Sequence, residues 1–491
     1  MSTVDDEARA IAAVPTGLLV NGWRAAEHGR TFAVDDPSTG AVIAEVSDAS
    51  ARDAEAALAA AHSAQLRWGA TAPRERSDIL RRTYELMIER SEHLALVMTL
   101  EMGKPLAESR AEVDYAADYL RWFSEEAVRI NGRWSTAPDG ASRIWTMRKP
   151  VGPTLLVTPW NFPLAMGTRK LGPALAAGCT AIVKPAKQTP LSMLALGGLL
   201  LEAGLPDGVV SILTTSDSRG IVAQLMADDR LRKLSFTGST EVGQELVRQS
   251  ADRMLRLSLE LGGNGPFIVF DDADLGLAVE GAVRAKLRNN GEACTAANRI
   301  FVQESVREEF VARLVDAFRP IRVGRGTEHA TGIGPLIDSG AVRKVEELVA
   351  AATDAGATVR FRADAPAGEG SYYPHTIIDD VPHDSPLVTQ EIFGPVAPVV
   401  SFRTEDEVLG WANASEYGLA SYVFTRDLDR AVRVAERLDT GMVGLNRGVL
   451  SNVAAPFGGW KSSGYGREGG SEGIEEYLET TYIALDAAHL A

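Results

Sequence analysis

Apolar residues follow two kinds of spacing along the chain, and the change comes near residue 150. Residues 52–66, 75–100 and 106–128 carry apolar side chains every three or four positions, which predicts amphipathic helices. The segment up to about residue 20 is expected to be a loosely held lead. Farther on, short apolar runs alternate with helical stretches, at 154–158, 180–184, 209–213 and 233–236. This alternation predicts a parallel sheet with crossover helices over residues 150–258.

A second series of apolar runs begins near Leu259 and predicts a second α/β unit. Its runs span 266–270, 299–302, 396–401, 421–424 and 441–445. Two further segments are predicted to be strands, a polar hairpin at 130–149 and the tail at 477–485. Isolated strands need a partner sheet, so we expect them to pair with another subunit in a homodimer or homotetramer.

Composition narrows the classes of function. The 491 residues include 50 Lys and Arg against 66 Asp and Glu, a net charge of −16, and no basic excess is available to bind nucleic acid. No apolar run reaches the roughly 18 residues that span a bilayer, and the acidic start differs from a signal peptide, so no membrane association is expected. The two cysteines, Cys179 and Cys294, exclude a disulfide framework and a Cys-rich metal site, and they fit a cytoplasmic protein.

A nucleotide signal lies in the segment 236–243, which follows a predicted strand and opens a helix. Gly238 permits the tight turn, and the Ser239 hydroxyl and first-turn N–H groups would face an anion. The alternative is that Ser239 only caps the helix. Lys184 and Lys187 follow another strand, where two lysines would attract a 2′-phosphate and an acidic residue would instead hold the ribose of NAD. A solvated charged loop is the alternative for this lysine pair.

Three residues carry candidate chemistry. Cys294 lies in a loop that contains glycine and polar residues, as a nucleophilic thiol does, although a lone cysteine is commonly a small buried apolar residue. Glu260 ends a predicted strand before two glycines and is either a general base of raised pKa or a glutamate in water. Asn161, at a strand-to-helix junction, either donates to an oxyanion or caps the helix. Cys179 is interpreted as a buried structural residue.

Taken together, these signals resemble the aldehyde dehydrogenase superfamily over nearly the whole chain. Seven motifs occur in order: Pro-Trp-Asn-Phe-Pro (159–163), Lys-Pro-Ala (184–186), Phe-Thr-Gly-Ser (236–239), Leu-Glu-Leu-Gly-Gly (259–263), Gly-x-x-Cys (291–294), Glu-Ile-Phe-Gly-Pro (391–395) and Pro-Phe-Gly-Gly (456–459). The resemblance is closest to the succinate-semialdehyde dehydrogenase branch.

The resemblance implies an α/β fold with a Rossmann-type parallel-sheet cofactor domain, a second α/β catalytic domain and a β oligomerisation arm. We expect the cofactor-binding domain at 1–128 and 150–258 and the catalytic domain at 259–446. The arm is expected at 129–149 and 470–491, with 447–469 as a crossing segment.

The same resemblance implies the roles of the candidate residues. Cys294 matches the nucleophile that attacks the aldehyde carbon, and Asn161 with the Cys294 N–H matches the oxyanion hole of the thiohemiacetal. Glu260 matches the base that activates water to hydrolyse the thioester. The expected cofactor contacts are Trp160, Lys184, Lys187, Gly238, Ser239, Gly243, Leu261, Glu391 and Phe393. Since NAD-preferring members often carry Glu where this chain has Lys187, NADP is the expected cofactor, with NAD possible.

Substrate recognition is implied by two arginines and a serine. Arg169 and Arg288 match residues that bind the substrate carboxylate, and Ser451 matches a third contact. A guanidinium pair selects a carboxylate through charge-assisted bidentate hydrogen bonds, and a surface salt bridge is the alternative for either arginine. The implied reaction is oxidation of succinate semialdehyde, with a broader aliphatic or another ω-carboxylated aldehyde as the alternative. A CoA-acylating enzyme is disfavoured by Glu260, and a binding protein without activity by the complete set of catalytic positions.

Two departures from the branch stand beside the nucleophile. Ala296 replaces the second cysteine that forms a redox-switch disulfide in many members, so that switch is absent. Glu292 stands where glutamine is commoner, and its charge would raise the pKa of the thiol if it lay close.

Overall fold

A computed structural model describes residues 4–486. The α-helices of that range are α1 Val4–Ala12, α2 Ala51–Ala70, α3 Pro73–Glu89, α4 Ser91–Met102, α5 Leu106–Glu126, α6 Ala165–Ala177, α7 Leu191–Glu202, α8 Ser218–Ala227, α9 Thr240–Ser250, α10 Leu275–Leu287, α11 Arg307–Phe318, α12 Ser339–Asp354, α13 Pro386–Thr389, α14 Glu405–Asn413, α15 Leu428–Arg437 and α16 Glu472–Glu475. None of them is long and apolar enough to cross a membrane.

The strands of the same range overlap each predicted run and also occur where no run was predicted. They are β1 Leu18–Leu19, β2 Trp23–Arg24, β3 Thr31–Asp35, β4 Val42–Ser47, β5 Arg133–Thr136, β6 Ser142–Pro150, β7 Thr154–Val157, β8 Ala181–Lys184, β9 Val210–Ile212, β10 Lys233–Thr237, β11 Arg256–Glu260, β12 Gly265–Val269, β13 Ala297–Gln303, β14 Arg322–Val323, β15 Thr331–Ile333, β16 Thr358–Arg362, β17 Thr376–Asp379, β18 Val396–Phe402, β19 Tyr417–Gly418, β20 Ala420–Phe424, β21 Met442–Leu445, β22 Trp460–Lys461, β23 Gly464–Tyr465 and β24 Leu478–Asp486.

The first large sheet has the order β2-β1-β9-β8-β7-β10-β11-β23. Its five strands from β9 to β11 are parallel, and antiparallel strands lie on either side of them, β1 with β2 at one edge and β23 at the other. The predicted parallel sheet over 150–258 is therefore confirmed. Because parallel strands end at one edge, Lys184, Thr237 and Glu260 are brought to the same side of the sheet, where ligands bind in such folds.

The second sheet has the order β16-β17-β18-β13-β12-β20-β21 and is parallel except for β16. It spans residues 358–445 together with β12 and β13, so the second predicted α/β unit is also confirmed. The predicted domain boundaries stay a prediction. Within the predicted crossing segment 447–469, residues 464–465 form β23 and belong to the first sheet.

The hairpin and the tail were wrongly expected to lack a partner within the chain. β24 pairs with β6 along its whole length, from Leu478 opposite Pro150 to Asp486 opposite Ser142, and β5 completes a three-stranded antiparallel sheet. The pairing joins segments more than 300 residues apart, which local patterns cannot reveal. Residues 487–491 of the predicted arm lie outside the described residues.

The amino-terminal part also differs from the prediction. Residues 4–12 form α1, whose Ala10 is buried, and Val14 beyond it is buried as well, so this segment is not a loosely held lead. The helix predicted over 75–100 is two helices, which meet at Arg90. The helix predicted over 52–66 begins with a capping box, in which Ser50 accepts from the Asp53 N–H and the Asp53 carboxylate accepts from the Ser50 N–H.

Helix α6 is the centre of the first core. Every residue of α6 is buried, and it packs between the sheet and α5. Gly172 permits the close approach, because a Cβ there would lie 3.0 Å from the ring of Phe123. This packing fixes the beginning of α6, which follows directly on the segment that contains Asn161.

Candidate active site

The loop that carries Cys294 is shaped by three successive left-handed residues. Asn289, Asn290 and Gly291 have φ values of 57°, 58° and 77° between α10 and β13. Asn290 secures the turn, since its amide nitrogen donates to the Pro335 carbonyl at 2.9 Å and its amide oxygen accepts from the Gly334 N–H at 2.8 Å. Asparagine and glycine tolerate this conformation best. The polar, glycine-containing sequence before Cys294 therefore favours a sharp turn.

Asn161 meets this loop directly. Its side-chain nitrogen donates to the Glu292 carbonyl at 3.0 Å, and its own carbonyl accepts from the Asn289 side chain at 3.0 Å. The N–H of Cys294 has no hydrogen-bond partner among residues 4–486. The Cys294 N–H on this loop and the Asn161 amide that contacts it are therefore two hydrogen-bond donors close in the structure. The Asn161 amide oxygen also accepts from the Phe162 N–H at 3.0 Å, so the local capping interaction is present too.

Glu260 approaches the loop of Cys294 from the end of β11 in the first sheet. It ends β11, and Gly263 just beyond it lies against Cys294, because a Cβ at Gly263 would stand 2.1 Å from the Cys294 carbonyl oxygen. Glu260 is 3% exposed, so the alternative of a glutamate in water is wrong. Its Oε2 atom is buried and has no hydrogen-bond partner in the part of the chain that the structure describes.

Burial raises the pKa of Glu260 well above its usual range, and the charge of Glu468 adds to this effect. The positive charges of Arg169 and Lys170 oppose it. The direction of this shift agrees with the predicted raised pKa, and a carboxyl group of raised pKa is suited to exchanging protons with water.

The thiol of Cys294 is protonated in this environment. Burial raises its pKa to about 12, with further increases from the charges of Glu391 and Glu260, while Arg169 and Arg288 lower it. The side chain is nevertheless partly exposed. Cys179, by contrast, is fully buried and donates to the Tyr477 carbonyl, as a structural cysteine does.

Glu292 does not act as the charged neighbour that its sequence position suggested. Its side chain is fully buried and accepts from the Ile337 N–H at 3.0 Å. Burial raises the pKa of Glu292 well above its usual range and so favours the neutral form. A neutral carboxyl group can replace the commoner glutamine here without placing a charge beside the thiol.

Arg169 lies in a buried charge cluster that sequence reasoning missed. Its Nε and the ammonium group of Lys170 both donate to the carboxylate of Glu468. Burial alone would raise the pKa of Glu468, but Lys170 and Arg169 lower it to about 2. The alternative of a surface salt bridge is wrong for Arg169, which is 1% exposed. Its Nη2 atom is buried without a partner among the described residues, and its guanidinium carbon stands 4.1 Å from the Phe457 ring centre.

Arg288 has a different environment. It is partly exposed, it makes no hydrogen bond or ion pair with residues 4–486, and its guanidinium carbon lies 5.2 Å from the ring centre of Phe162. Ser451 is partly buried, and its neighbour Leu450 packs on the small apolar cluster that also contacts Cys294. The charges of Arg169 and Arg288 both act on the Cys294 thiol, and each arginine keeps unpaired nitrogen atoms.

A crevice of about 680 Å³ opens at the carboxyl edge of the first sheet. Trp160, Lys184, Lys187 and Gly238 line it, as predicted. Lys184 is 5% exposed, its Nζ donates to the Ser218 hydroxyl at 2.9 Å, and burial lowers its pKa to about 8. The segment 216–219 also lines the crevice, and no motif in the sequence pointed to it.

The other predicted cofactor residues do not line this crevice, and each has contacts within the protein. The Ser239 hydroxyl accepts from the Val242 N–H, so its capping role is real. Gly243 packs on Leu261, because a Cβ at Gly243 would lie 2.5 Å from that side chain. The carboxylate of Glu391 accepts from the Gly263 N–H at 2.9 Å, and burial raises its pKa to about 7.

Phe393, with a φ of 55°, presents its ring edge-on to Trp160 at 5.4 Å between ring centres. This contact joins the Glu-Ile-Phe-Gly-Pro motif of the second sheet to the Pro-Trp-Asn-Phe-Pro motif of the first. Phe393, which precedes a strand of the second sheet, therefore contacts a residue that lines the crevice of the first sheet.

The comparisons with known proteins agree with this geometry. The pattern of the Aldehyde dehydrogenase family matches residues 23–483, and the chain belongs to this family. A succinate-semialdehyde dehydrogenase of Paenarthrobacter nicotinovorans is 56% identical over 445 residues, which are 90% of this chain and 99% of that protein. A glutarate-semialdehyde dehydrogenase of Pseudomonas aeruginosa is 49% identical, with 94% and 96% covered.

Two proteins of Escherichia coli are similar as well. The NADP(+) succinate-semialdehyde dehydrogenase GabD of strain K12 is 47% identical, over 95% of this chain and 97% of that protein. A crystal structure described as an NADP dependent enzyme of Escherichia coli superposes with a TM-score of 0.95 at 46% identity, over 96% of this chain and 98% of that one.

The left-handed turn before the thiol can be tested with Gly291→Ala. A Cβ at Gly291 would lie 2.4 Å from the Gly394 carbonyl oxygen in a backbone conformation that alanine disfavours. We expect kcat for aldehyde oxidation to fall by more than about 10-fold, because small displacements of reacting groups are costly. Gly356→Ala is the matched control, since Gly356 has a φ of +99° with open space around it. Equal kcat values for the two variants would contradict the assignment.

Proposed function

We propose that this protein oxidises succinate semialdehyde to succinate with NADP, through covalent chemistry on Cys294. The observation that carries the proposal is what lies near the Cys294 thiol: its own unpaired N–H, the Asn161 amide that donates to the Glu292 carbonyl, a buried carboxyl group of raised pKa, and two arginines with unpaired nitrogen atoms whose charges act on the thiol. A base, an oxyanion hole and a thiol are the requirements of acyl transfer.

The residues of the crevice fit a dinucleotide. Lys184, Lys187 and the amino-terminal end of α9 offer positive charge and N–H groups at the carboxyl edge of parallel strands, where pyrophosphates bind in this type of sheet. The Glu391 carboxylate is assigned to the nicotinamide ribose. The rings of Trp160 and Phe393, which contact each other, are assigned to the nicotinamide end of the dinucleotide. When bound, the dinucleotide accepts a hydride from the substrate.

The first half of the reaction forms the thioester. Glu260 accepts the proton of the Cys294 thiol and passes it to water, the sulfur attacks the aldehyde carbon, and the Asn161 side-chain N–H and the Cys294 N–H stabilise the resulting oxyanion. Each such donor contributes about 3–4 kcal/mol in comparable sites. The Glu292 carbonyl that Asn161 now contacts is a weaker acceptor than an oxyanion, so this donor is available to the substrate.

The second half releases the acid. Glu260 takes a proton from water, whose oxygen attacks the thioester carbon, and the Cys294 sulfur leaves. The buried, unpaired Oε2 of Glu260 and its raised pKa suit this exchange. Hydrolysis at this residue argues against CoA acylation as the outcome.

The carboxylate of the substrate is assigned to Arg288, the buried Nη2 of Arg169 and Ser451. Arg288 supports this assignment best because no protein carboxylate among the described residues occupies it. The Pseudomonas aeruginosa relative is a glutarate-semialdehyde dehydrogenase, so a longer ω-carboxylated aldehyde is the second candidate substrate.

NADP is the proposed cofactor because of Lys187. This exposed lysine lines the crevice beside Ser216 and Arg219, and the Escherichia coli relative GabD is an NADP(+) enzyme. A cation at this position favours a 2′-phosphate over a free ribose hydroxyl.

The three-stranded sheet of β5, β6 and β24 supports a homodimer or homotetramer. Its exposed aromatic side chains are those of Trp134, Trp145 and Tyr482. Large apolar side chains on an exposed sheet are typical of a subunit interface.

The central experiment measures a panel of aldehydes with both cofactors and identifies the product as acid or CoA ester. We expect succinate from succinate semialdehyde, and loss of more than about 10³-fold in activity for Cys294→Ala, because the nucleophile is removed. Cys179→Ala, which removes the other cysteine, is expected to retain kcat. Full activity of Cys294→Ala, or a CoA ester as product, would overturn the mechanism.

Arg288→Ala tests the carboxylate site. Loss of a charge-assisted hydrogen bond costs about 1.5–3 kcal/mol, so kcat/KM for succinate semialdehyde should fall by roughly 10- to 100-fold. Butanal, a neutral aldehyde of equal chain length, should be far less affected. Arg284→Ala, four residues earlier on α10 and paired with Glu280 at the surface, is the control. Parallel losses with both aldehydes would assign Arg288 to structure.

Lys187→Glu tests the cofactor preference. The substitution replaces attraction to a 2′-phosphate with repulsion, so the ratio of kcat/KM for NADP to that for NAD should fall by about 10- to 100-fold. Arg403→Glu, an exposed cation outside the crevice, repeats the change of charge as a control. A wild-type enzyme that clearly prefers NAD would refute the proposed cofactor.

A further inference from the structure

We propose that Lys104 is a positioning residue of the active site, which with Glu112 fixes both the oxyanion donor Asn161 and the side chain of Phe162 that supports Arg288. This inference rests on the proposed function, because it takes the roles of Asn161 and Arg288 from there. Lys104 and Glu112 belong to the helical amino-terminal part of the chain and to none of the motifs of the catalytic site.

Lys104 lies in the turn between α4 and α5 and is completely buried. Its ammonium group makes an ion pair with Glu112 of α5 and donates to the backbone carbonyl of Asn161 at 2.8 Å. The same carbonyl accepts from the Asn289 side chain, so the ammonium group acts where the Asn161 segment meets the nucleophile loop. Loss of Lys104 would leave only the Asn289 contact on this carbonyl.

Glu112 holds the other end of the same segment. Its second oxygen accepts from the N–H groups of Leu164 and Ala165, at 3.0 and 3.1 Å, where α6 begins. The ion pair therefore spans the segment 161–165 from the Asn161 carbonyl to the first turn of α6. A carboxylate on these N–H groups is also favoured by the helix dipole.

The ring of Phe162 extends this arrangement to the substrate arginine. The Lys104 Nζ lies 4.4 Å from the ring centre, and the guanidinium carbon of Arg288 lies 5.2 Å from it. Arg288 has no hydrogen bond or ion pair within residues 4–486, so the ring of Phe162 is a contact that can support its position. Cations are attracted to an aromatic face at such distances.

A purely structural role explains the pair poorly. Burying two charges carries a desolvation cost, and replacing a buried ion pair with neutral residues of similar volume is often neutral or stabilising. The pair instead makes directed contacts to the one segment that links the oxyanion donor, the aromatic ring and α6. A fixed geometry for that segment is the property that the pair supplies.

The test uses Lys104→Met, which keeps the length of the side chain, and the double variant Lys104→Met with Glu112→Gln, which leaves no unpaired charge. Glu112→Gln keeps a side-chain oxygen for the Leu164 and Ala165 N–H groups. We expect kcat to fall by about 10- to 100-fold with both succinate semialdehyde and butanal, as misplaced catalytic groups do. The KM for succinate semialdehyde should rise roughly 10-fold relative to that for butanal, because Arg288 loses its support.

Thermal unfolding separates positioning from stability. The double variant is expected to unfold near the wild-type temperature while kcat stays low, and it replaces the single variant if Lys104→Met fails to fold. Arg110→Met is the matched control, since Arg110 joins the same two helices through an exposed bidentate pair with Glu92. Its kcat and KM should remain at the wild-type values.

The outcomes distinguish this inference from the proposed function. A folded double variant with wild-type kcat and an unchanged KM ratio overturns the role of Lys104, even if Asn161→Ala and Arg288→Ala lose activity as proposed. If the wild-type enzyme shows no preference for carboxylated aldehydes, the proposed substrate is wrong. The role of Lys104 is then decided by the kcat of the double variant with butanal, and a wild-type value would overturn it.

Discussion

The two sheets meet through backbone atoms where Gly263 approaches the carbonyl of Cys294. A Cβ at this glycine would stand 2.1 Å from the carbonyl oxygen, so no other residue fits the distance. Gly263 also donates its N–H to Glu391, and it follows Glu260 by three positions. One contact therefore sets the nucleophile, the buried carboxyl group and the carboxylate near the crevice relative to one another. The rest of the site is arranged around this contact.

Buried charge is the second organising feature. Arg169 and Lys170 both pair with Glu468, and Lys104 pairs with Glu112, and all five side chains are buried. In such surroundings each charge acts over a longer distance than in water. The opposite pKa shifts of Glu468 and Glu260 show this, since cations surround Glu468, and the negative charge of Glu468 in turn acts on Glu260.

Much of the fold and of the site was predictable, because local patterns carry the information. Short apolar runs revealed both parallel sheets, and motifs revealed Cys294, Glu260 and Asn161, which the structure brings together. Local sequence patterns do not predict which strands pair when they are far apart in the chain. The match of β6 with β24 was missed for this reason, and so were the roles of Glu468 and Lys104, which are ordinary charged residues until the fold buries them.

The late position of β23 and β24 in the chain has a consequence for synthesis. Residues 464–465 close the first sheet beside β11, and residues 478–486 complete the sheet that begins with β5 and β6. A ribosome therefore synthesises the preceding strands of each sheet well before residues 464–465 and 478–486 emerge. Until then the side of β11 and the length of β6 are open edges, which these two late strands cover.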